Sequence, residues 1–181
     1  MRRICVVLAV AVLAGCGGAP KATTTATTAA VPDPAAAMQA LILQQPSLAG
    51  IVRTLYQGSS WAVVESLSPG HAHAVPFELV GNHWRADESG KVKLKILGPQ
   101  PGAKAPILPQ VAIEFTATKP FVESAIWVDG TELLEKGGGS PTSGTIYGAP
   151  ARKLKPGPHV AVGYARTATA GTAVAWIFDV A

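Results

Sequence analysis

Near the amino end the chain has an unbroken apolar run, residues 4–13, behind Arg2-Arg3. Ten apolar residues after a basic pair match a signal-peptide core and fall short of a membrane span. Residues 17–30, GGAPKATTTATTAA, carry no large apolar side chain and predict an unfolded tether. Asp33-Pro34 then offers a helix start, a capping side chain followed by proline at the first helical position. Met38, Leu41, Ile42 and Gln45 follow at helical spacing, and Pro46 breaks the pattern. Ser47 with Leu48, Ile51, Val52 and Leu55 predicts a second helical segment, ended by Gly58.

Beyond Gly58 the period changes to two. Strands are predicted around Trp61-Ala62-Val63-Val64, Val75-Pro76-Phe77-Glu78-Leu79 and His83-Trp84-Arg85-Ala86. A fourth covers residues 91–97, with Val92, Leu94 and Ile96 on one face and Lys91, Lys93 and Lys95 on the other. These four strands read as an antiparallel meander carrying the helical region, a small α+β module over residues 33–98. Residues 99–105, rich in Pro and Gly, read as a linker.

From residue 106 to 181 only the strand period remains. Val111-Ala112-Ile113-Glu114-Phe115 alternates, and Asp129-Gly130 marks a tight hairpin after Ile126-Trp127-Val128. Gly137-Gly138-Gly139-Ser140-Pro141 reads as a flexible loop, and residues 137–144 as an adaptable contact surface. Further alternation runs through Val160, Val162 and Tyr164 and through Val174, Trp176, Phe178 and Val180. Short strands with regular turns predict a β-sandwich, so the expected fold class is mainly β.

Composition adds three constraints. The 181 residues are 48% hydrophobic but only 14% charged, against a usual charged fraction of about 25%. Cys5 and Cys16 are the two cysteines. If residues 1–15 are removed, Cys16 stands first and alone, so no internal disulfide forms. The same removal takes Arg2 and Arg3 from the 15 basic residues, leaving 13 against 11 acidic. So neutral a chain speaks against a nucleic-acid partner.

Leu13-Ala14-Gly15-Cys16 resembles the lipobox of bacterial lipoproteins, [LV]-[AST]-[GA]-C, at every position. The resemblance implies residues 1–15 as signal peptide, cleavage before Cys16, a diacylglyceryl thioether on Cys16, and acylation of the new amino terminus. Residues 16–32 then become the lipidated cysteine and its tether, reaching about 20–24 Å from the bilayer. The implied location is the extracytoplasmic face of the cell membrane. Leu154-Lys155-Pro156-Gly157-Pro158-His159-Val160, with the later run Val174-Ala175-Trp176-Ile177-Phe178, resembles the end of bacterial immunoglobulin-like domains, L-x-P-G-x-H-x-V and W-x-F-x-V. Ala168 and Thr172 replace the acidic and amide residues of that family's intervening turn. The resemblance implies an immunoglobulin-like sandwich over 106–181 and no chemistry. The first module, through Trp61-Ala62-Val63 and Gly81-Asn82-His83-Trp84-Arg85, is similar to small cystatin-like or nuclear-transport-factor-like domains, which can bind ligands in a curved sheet.

Candidate chemistry is sparse. His71 and His73 are candidate metal ligands, but two imidazoles fall short of a zinc set unless His83 joins them. His159, in the immunoglobulin-like motif, reads as a structural hydrogen-bonding residue. Glu65, Glu78, Asp87 and Glu88 offer carboxylates in no defined pair. No nucleophile elbow, zinc-protease helix or phosphate loop is present. Lys91, Lys93 and Lys95, and Arg152, Lys153 and Lys155, are candidate contact surfaces for acidic partners. The expectation is a lipid-anchored, non-catalytic binding or scaffold module, without cofactor, facing an envelope protein or wall polymer. The alternative is a small-ligand- or metal-binding exported protein using the first sheet and the His71/His73 loop.

Overall fold

The computed structural model describes residues 31–181. The expected signal peptide, Cys16 and nearly all of the tether lie outside the described residues. Val31–Ala181 forms one compact unit, mainly β with one short helix.

Helix α1 is Pro34–Gln44. The Asp33 carboxylate accepts from the Ala35 N–H at 2.9 Å, and Pro34 takes the first turn. The helix ends before Pro46, as its sequence requires. The expected second helix does not form: Pro46–Leu48 make a single 3-10 turn, and Ile51–Gln57 are strand β1. Ile51, Val52, Thr54 and Tyr56 are β-branched or aromatic, types that pack well on a pleated surface. The helical spacing was coincidental, and pairing with β2 prevailed.

Strands β1, β2 (Trp61–Ser68), β3 (His71–Val80) and β4 (His83–Ala86) form an antiparallel meander, the first sheet. Met38 packs with Ala62, Val64, Phe77 and Trp84 on one face of it. Val63, on the alternate face, packs with Ala125, Trp127, Val162 and Tyr164. Strand β2 is therefore buried on both sides from Trp61 to Ser66. Between α1 and the β3–β4 end of this sheet lies a hollow of about 430 Å³, lined by Leu41, Phe77, Trp84 and Ala86.

The expected fourth strand belongs elsewhere. β5 (Val92–Gly98) pairs with β7 (Val111–Ala117), aligning Leu94 with Phe115 and Ile96 with Ile113. The remaining strands are β6 (Lys104–Ala105), β8 (Phe121–Val128), β9 (Thr131–Glu132) and β10 (Lys136–Ser140). They continue as β11 (Ser143–Gly148), β12 (Gly157–Thr167) and β13 (Gly171–Val180). One sheet has the order β10-β11-β7-β5 and the other β6-β13-β12-β8-β9, with β6 parallel to β13. The two sheets form a β-sandwich, with β5 at the end of one and β6 at the end of the other. The sandwich therefore starts at Val92. Residues 99–105, expected as a linker, follow β5 directly and include β6. The alternation at 91–97 revealed a strand but not which sheet it joins.

Val111, Ile113 and Phe115 face Ile126, Val128, Ala161, Trp176 and Phe178 in the sandwich core. Between β7 and β12, Ile113 lies over the bare backbone of Gly163. A Cβ on Gly163 would stand 2.9 Å from two Ile113 methyl carbons. Sheet β6-β13-β12-β8-β9 is covered on both faces, by its partner sheet and by the first sheet. Hence β12 is buried without alternation from Ala161 to Ala165. The turn that departs from the family pattern is closed by Thr167, whose Oγ1 accepts from the N–H groups of Thr169 (3.3 Å) and Ala170 (3.1 Å).

Candidate functional site

A cavity lies at the end of the sandwich where β8 turns into β9 and β11 connects to β12. Asp129 occupies the left-handed region (φ 50°), followed by Gly130 (φ 77°), as the Asp-Gly pair predicts. The turn is held from three directions. The Asp129 N–H donates to the Val160 carbonyl at 2.8 Å, and its carboxylate accepts from the Val160 N–H at 3.0 Å. Arg53 Nη1, from β1, donates to the Asp129 carbonyl at 3.0 Å. His159 Nδ1 lies 2.7 Å from Asp129 Oδ2, and His159 Nε2 lies 2.7 Å from the Lys155 carbonyl. Both neighbours are acceptors, so the doubly protonated ring satisfies both contacts. Burial pulls the His159 pKa down, but the bonds to Asp129 and Lys155 outweigh it and hold it above its ordinary value. His159 therefore has the structural role its motif suggests.

Beside this turn is a cavity of about 420 Å³, lined by Val128, Leu133, Leu134, Pro150 and Leu154 with Asp129, Glu132, Arg152 and Lys153. Leu133 is buried, while Leu134 is 92% exposed. Adjacent residues of a strand-like segment point to opposite sides, so one leucine of the pair is left in solvent. Sequence reasoning missed Leu133 and Leu134; the doubled leucine directly after a tight hairpin was the available signal. The structure brings Arg152 and Lys153 to this cavity, with Lys155 close by through its carbonyl.

Lys91, Lys93 and Lys95 are not part of it. Lys93 and Lys95 are exposed on β5, and Lys95 lies 3.7 Å from Glu114. Lys91 and Lys119 both line a smaller hollow of about 230 Å³. The two basic clusters belong to different parts of the sandwich.

His71 and His73 sit on strand β3, not on a loop. With Trp176 and Gly102 they line a groove of about 380 Å³. His83 pairs with Val80 at the far end of β3, roughly 30 Å from His71 at the rise of an extended strand, so it cannot complete a ligand set with them. Among the described residues no three His, Cys, Asp or Glu side chains converge as metal ligands. Each candidate carboxylate has a protein partner. Glu65 pairs with Arg53, Glu78 with Arg85, and Glu88 accepts from Gln45. Asp87 accepts from the Ser89 and Gly171 N–H groups.

A further polar cluster joins the first sheet to the sandwich. Arg166 Nε donates to Glu123 Oε2 at 2.6 Å, and its guanidinium lies 5.9 Å from the centre of the Trp61 ring. The Tyr56 and Tyr164 rings are 6.2 Å apart beside it. Burial raises the pKa of both tyrosines, Tyr164 most. This cluster reads as interface structure, because its charged groups are paired and Tyr164 is wholly buried. The Tyr164 hydroxyl and one oxygen each of Glu65 and Glu135 are buried without a partner, and burial pushes the Glu135 carboxyl up to about 7. No protein-family model matches the chain, and no curated protein matches it.

Proposed function

We propose that the protein is a lipid-anchored lipoprotein of the cell envelope acting as a non-catalytic contact module. Cys16 carries the lipid, and the sandwich meets an envelope protein or wall polymer. The observation carrying this reading is the cavity beside Asp129, apolar through Leu133 and Leu154 and edged by Arg152 and Lys153 on one segment and by Asp129 and Glu132 on another. Such a surface suits a partner presenting an apolar group with an acidic one placed to meet Arg152 and Lys153 and kept away from Glu132. The candidate acids elsewhere are tied up in structural contacts. The resemblances to a lipobox and to an immunoglobulin-like domain support anchorage and presentation respectively.

The test is in-cell photocrosslinking with benzoylphenylalanine placed at Leu134, and at Lys93 for comparison. The expected result is a discrete partner from position 134 that is lost with Arg152→Glu/Lys153→Glu. Equal labelling from both positions, insensitive to those charges, would refute the cavity as the contact surface. A second reading, a small ligand held between His71, His73 and Trp176, draws support from the groove they share.

A further inference from the structure

Six strands end the three sheets: β1, β4, β5, β6, β9 and β10. An end strand exposes unpaired backbone groups, and proteins normally protect it by shortness, a bulge or charge. β4, β6 and β9 have only four, two and two residues. β1 has a register shift between Thr54 and Tyr56 and carries Arg53. β5 has a register shift between Ile96 and Gly98 and displays Lys93 and Lys95. β10 has none of these devices over its central residues. Its sequence is KGGGS, all five residues are exposed, and its ladder with β11 runs from Lys136 to Ser140 without a shift.

Two of its glycines are needed locally. A Cβ on Gly137 would stand 2.5 Å from the Thr145 carbonyl oxygen, and Gly139 has φ 155° with no room beside Ser143. Gly138 has no such need, since a Cβ there would meet nothing within 4 Å. Glycine inside a strand weakens it and often marks close approach of another backbone. The bare strand also uncovers a hollow of about 250 Å³ in which Phe115 and Phe121 sit beside Gly139 and Gly144. The two rings meet edge to face, 4.5 Å between centres. Phe115 aligns with Gly144, and Gly144 with Gly139. Cross-strand neighbours share a face, so a residue added opposite Gly139 projects toward the Phe115 ring.

We infer that β10 is a strand-addition site for an extended segment of another polypeptide, which places an apolar side chain opposite Gly139 and an acidic residue near Lys136. Backbone hydrogen bonds supply affinity, and the Phe115/Phe121 hollow supplies selectivity. A second copy of β10 does not satisfy the site, because KGGGS holds no apolar side chain to fill the hollow. This inference is independent of the cavity beside Asp129.

The probe is a fluorescein-labelled peptide, Thr-Val-Thr-Phe-Thr-Val-Glu, titrated into the protein by fluorescence polarisation, with hydrogen exchange on the complex. Saturable binding with slowed exchange confined to residues 136–140 is expected. Replacing the peptide's Phe by Ala, or N-methylating its alternate amides, should each weaken binding about tenfold or more. Gly138→Glu, placed where a side chain has open space and on the same face as Lys136, should do the same with an unchanged melting temperature. No binding at 1 mM peptide, or binding indifferent to N-methylation, overturns the inference. So does protection of residues 136–140 in the peptide-free protein that vanishes on dilution, since the edge would then pair with a second copy.

Discussion

Arg53→Ala tests the joint between the first sheet and the sandwich. Glu65 is fully buried, and its carboxylate pairs with Arg53, which also donates to the Asp129 carbonyl across the joint. Burial raises the Glu65 pKa, and Arg53 beside it pulls the other way. Removing one partner of a buried ion pair costs about 3–5 kcal/mol. Two effects reduce that here. Arg53 is 42% exposed, so water already screens the pair. Glu65 can also take up a proton once its counter-charge is gone. The expected loss is therefore about 2–3 kcal/mol at pH 7.5, or roughly 5–10 °C in Tm for a domain of this size. Lowering the pH to 5 favours the neutral Glu65, which needs no counter-charge, so the loss should shrink. Arg53→Met/Glu65→Leu, which removes both charges, should come within about 1 kcal/mol of the parent. Urea unfolding at the two pH values measures all three variants. An equal loss at both pH values, or a double variant no better than Arg53→Ala, would refute the reasoning.

Other outcomes follow from the same structure. Gly163→Ala drives a methyl into Ile113 and should cost about 1–3 kcal/mol; Ile113→Val should recover part of it, and additive losses in urea melts would deny the contact. The folded state holds protons on Glu135 and His159 more tightly than the unfolded chain does. Stability from Glu135 should fall between about pH 4.5 and 7, and that from His159 from pH 6.5 upward through its raised pKa. Glu135→Gln should accordingly stabilise by about 2 kcal/mol at pH 8 and leave stability near pH 4.5 unchanged; a flat parent profile over that range contradicts this. A fragment of residues 104–181 lacks β5, so circular dichroism should show no cooperative melt. A fragment of residues 91–181 retains all nine sandwich strands but exposes Trp127 and Tyr164, and should bind a hydrophobic dye more strongly than the intact unit.

The sequence revealed individual elements more readily than their company. Asp33-Pro34, Pro46, Asp129-Gly130 and the alternating runs are local signals, and each acts as its chemistry requires. The 91–97 alternation was correct as a strand, but Val92, Leu94 and Ile96 face either sheet equally well on paper. Residues 51–55 satisfy both helical and strand spacing, and only the edge of β2 decides between them. The expected Gly137–Pro141 loop became β10 because β11 offers it a ladder that glycine, lacking side chains, accepts without conflict. His159 was legible from its motif. Leu134 and the cavity were not, since Arg152 and Lys153 meet Leu133 only through long-range packing. His83 could join His71 and His73 only if the sheet brought it near, and β3 separates it from His71 by its full length.

The central claim is anchorage through Cys16, and subcellular fractionation of Cys16→Ala beside the parent tests it most directly. The parent should remain with membranes through a carbonate wash and enter the detergent phase of a phase separation. Cys16→Ala should leave the membranes and appear in the soluble or secreted fraction, with residues 31–181 folded as before. Retention of Cys16→Ala in carbonate-washed membranes would contradict the account.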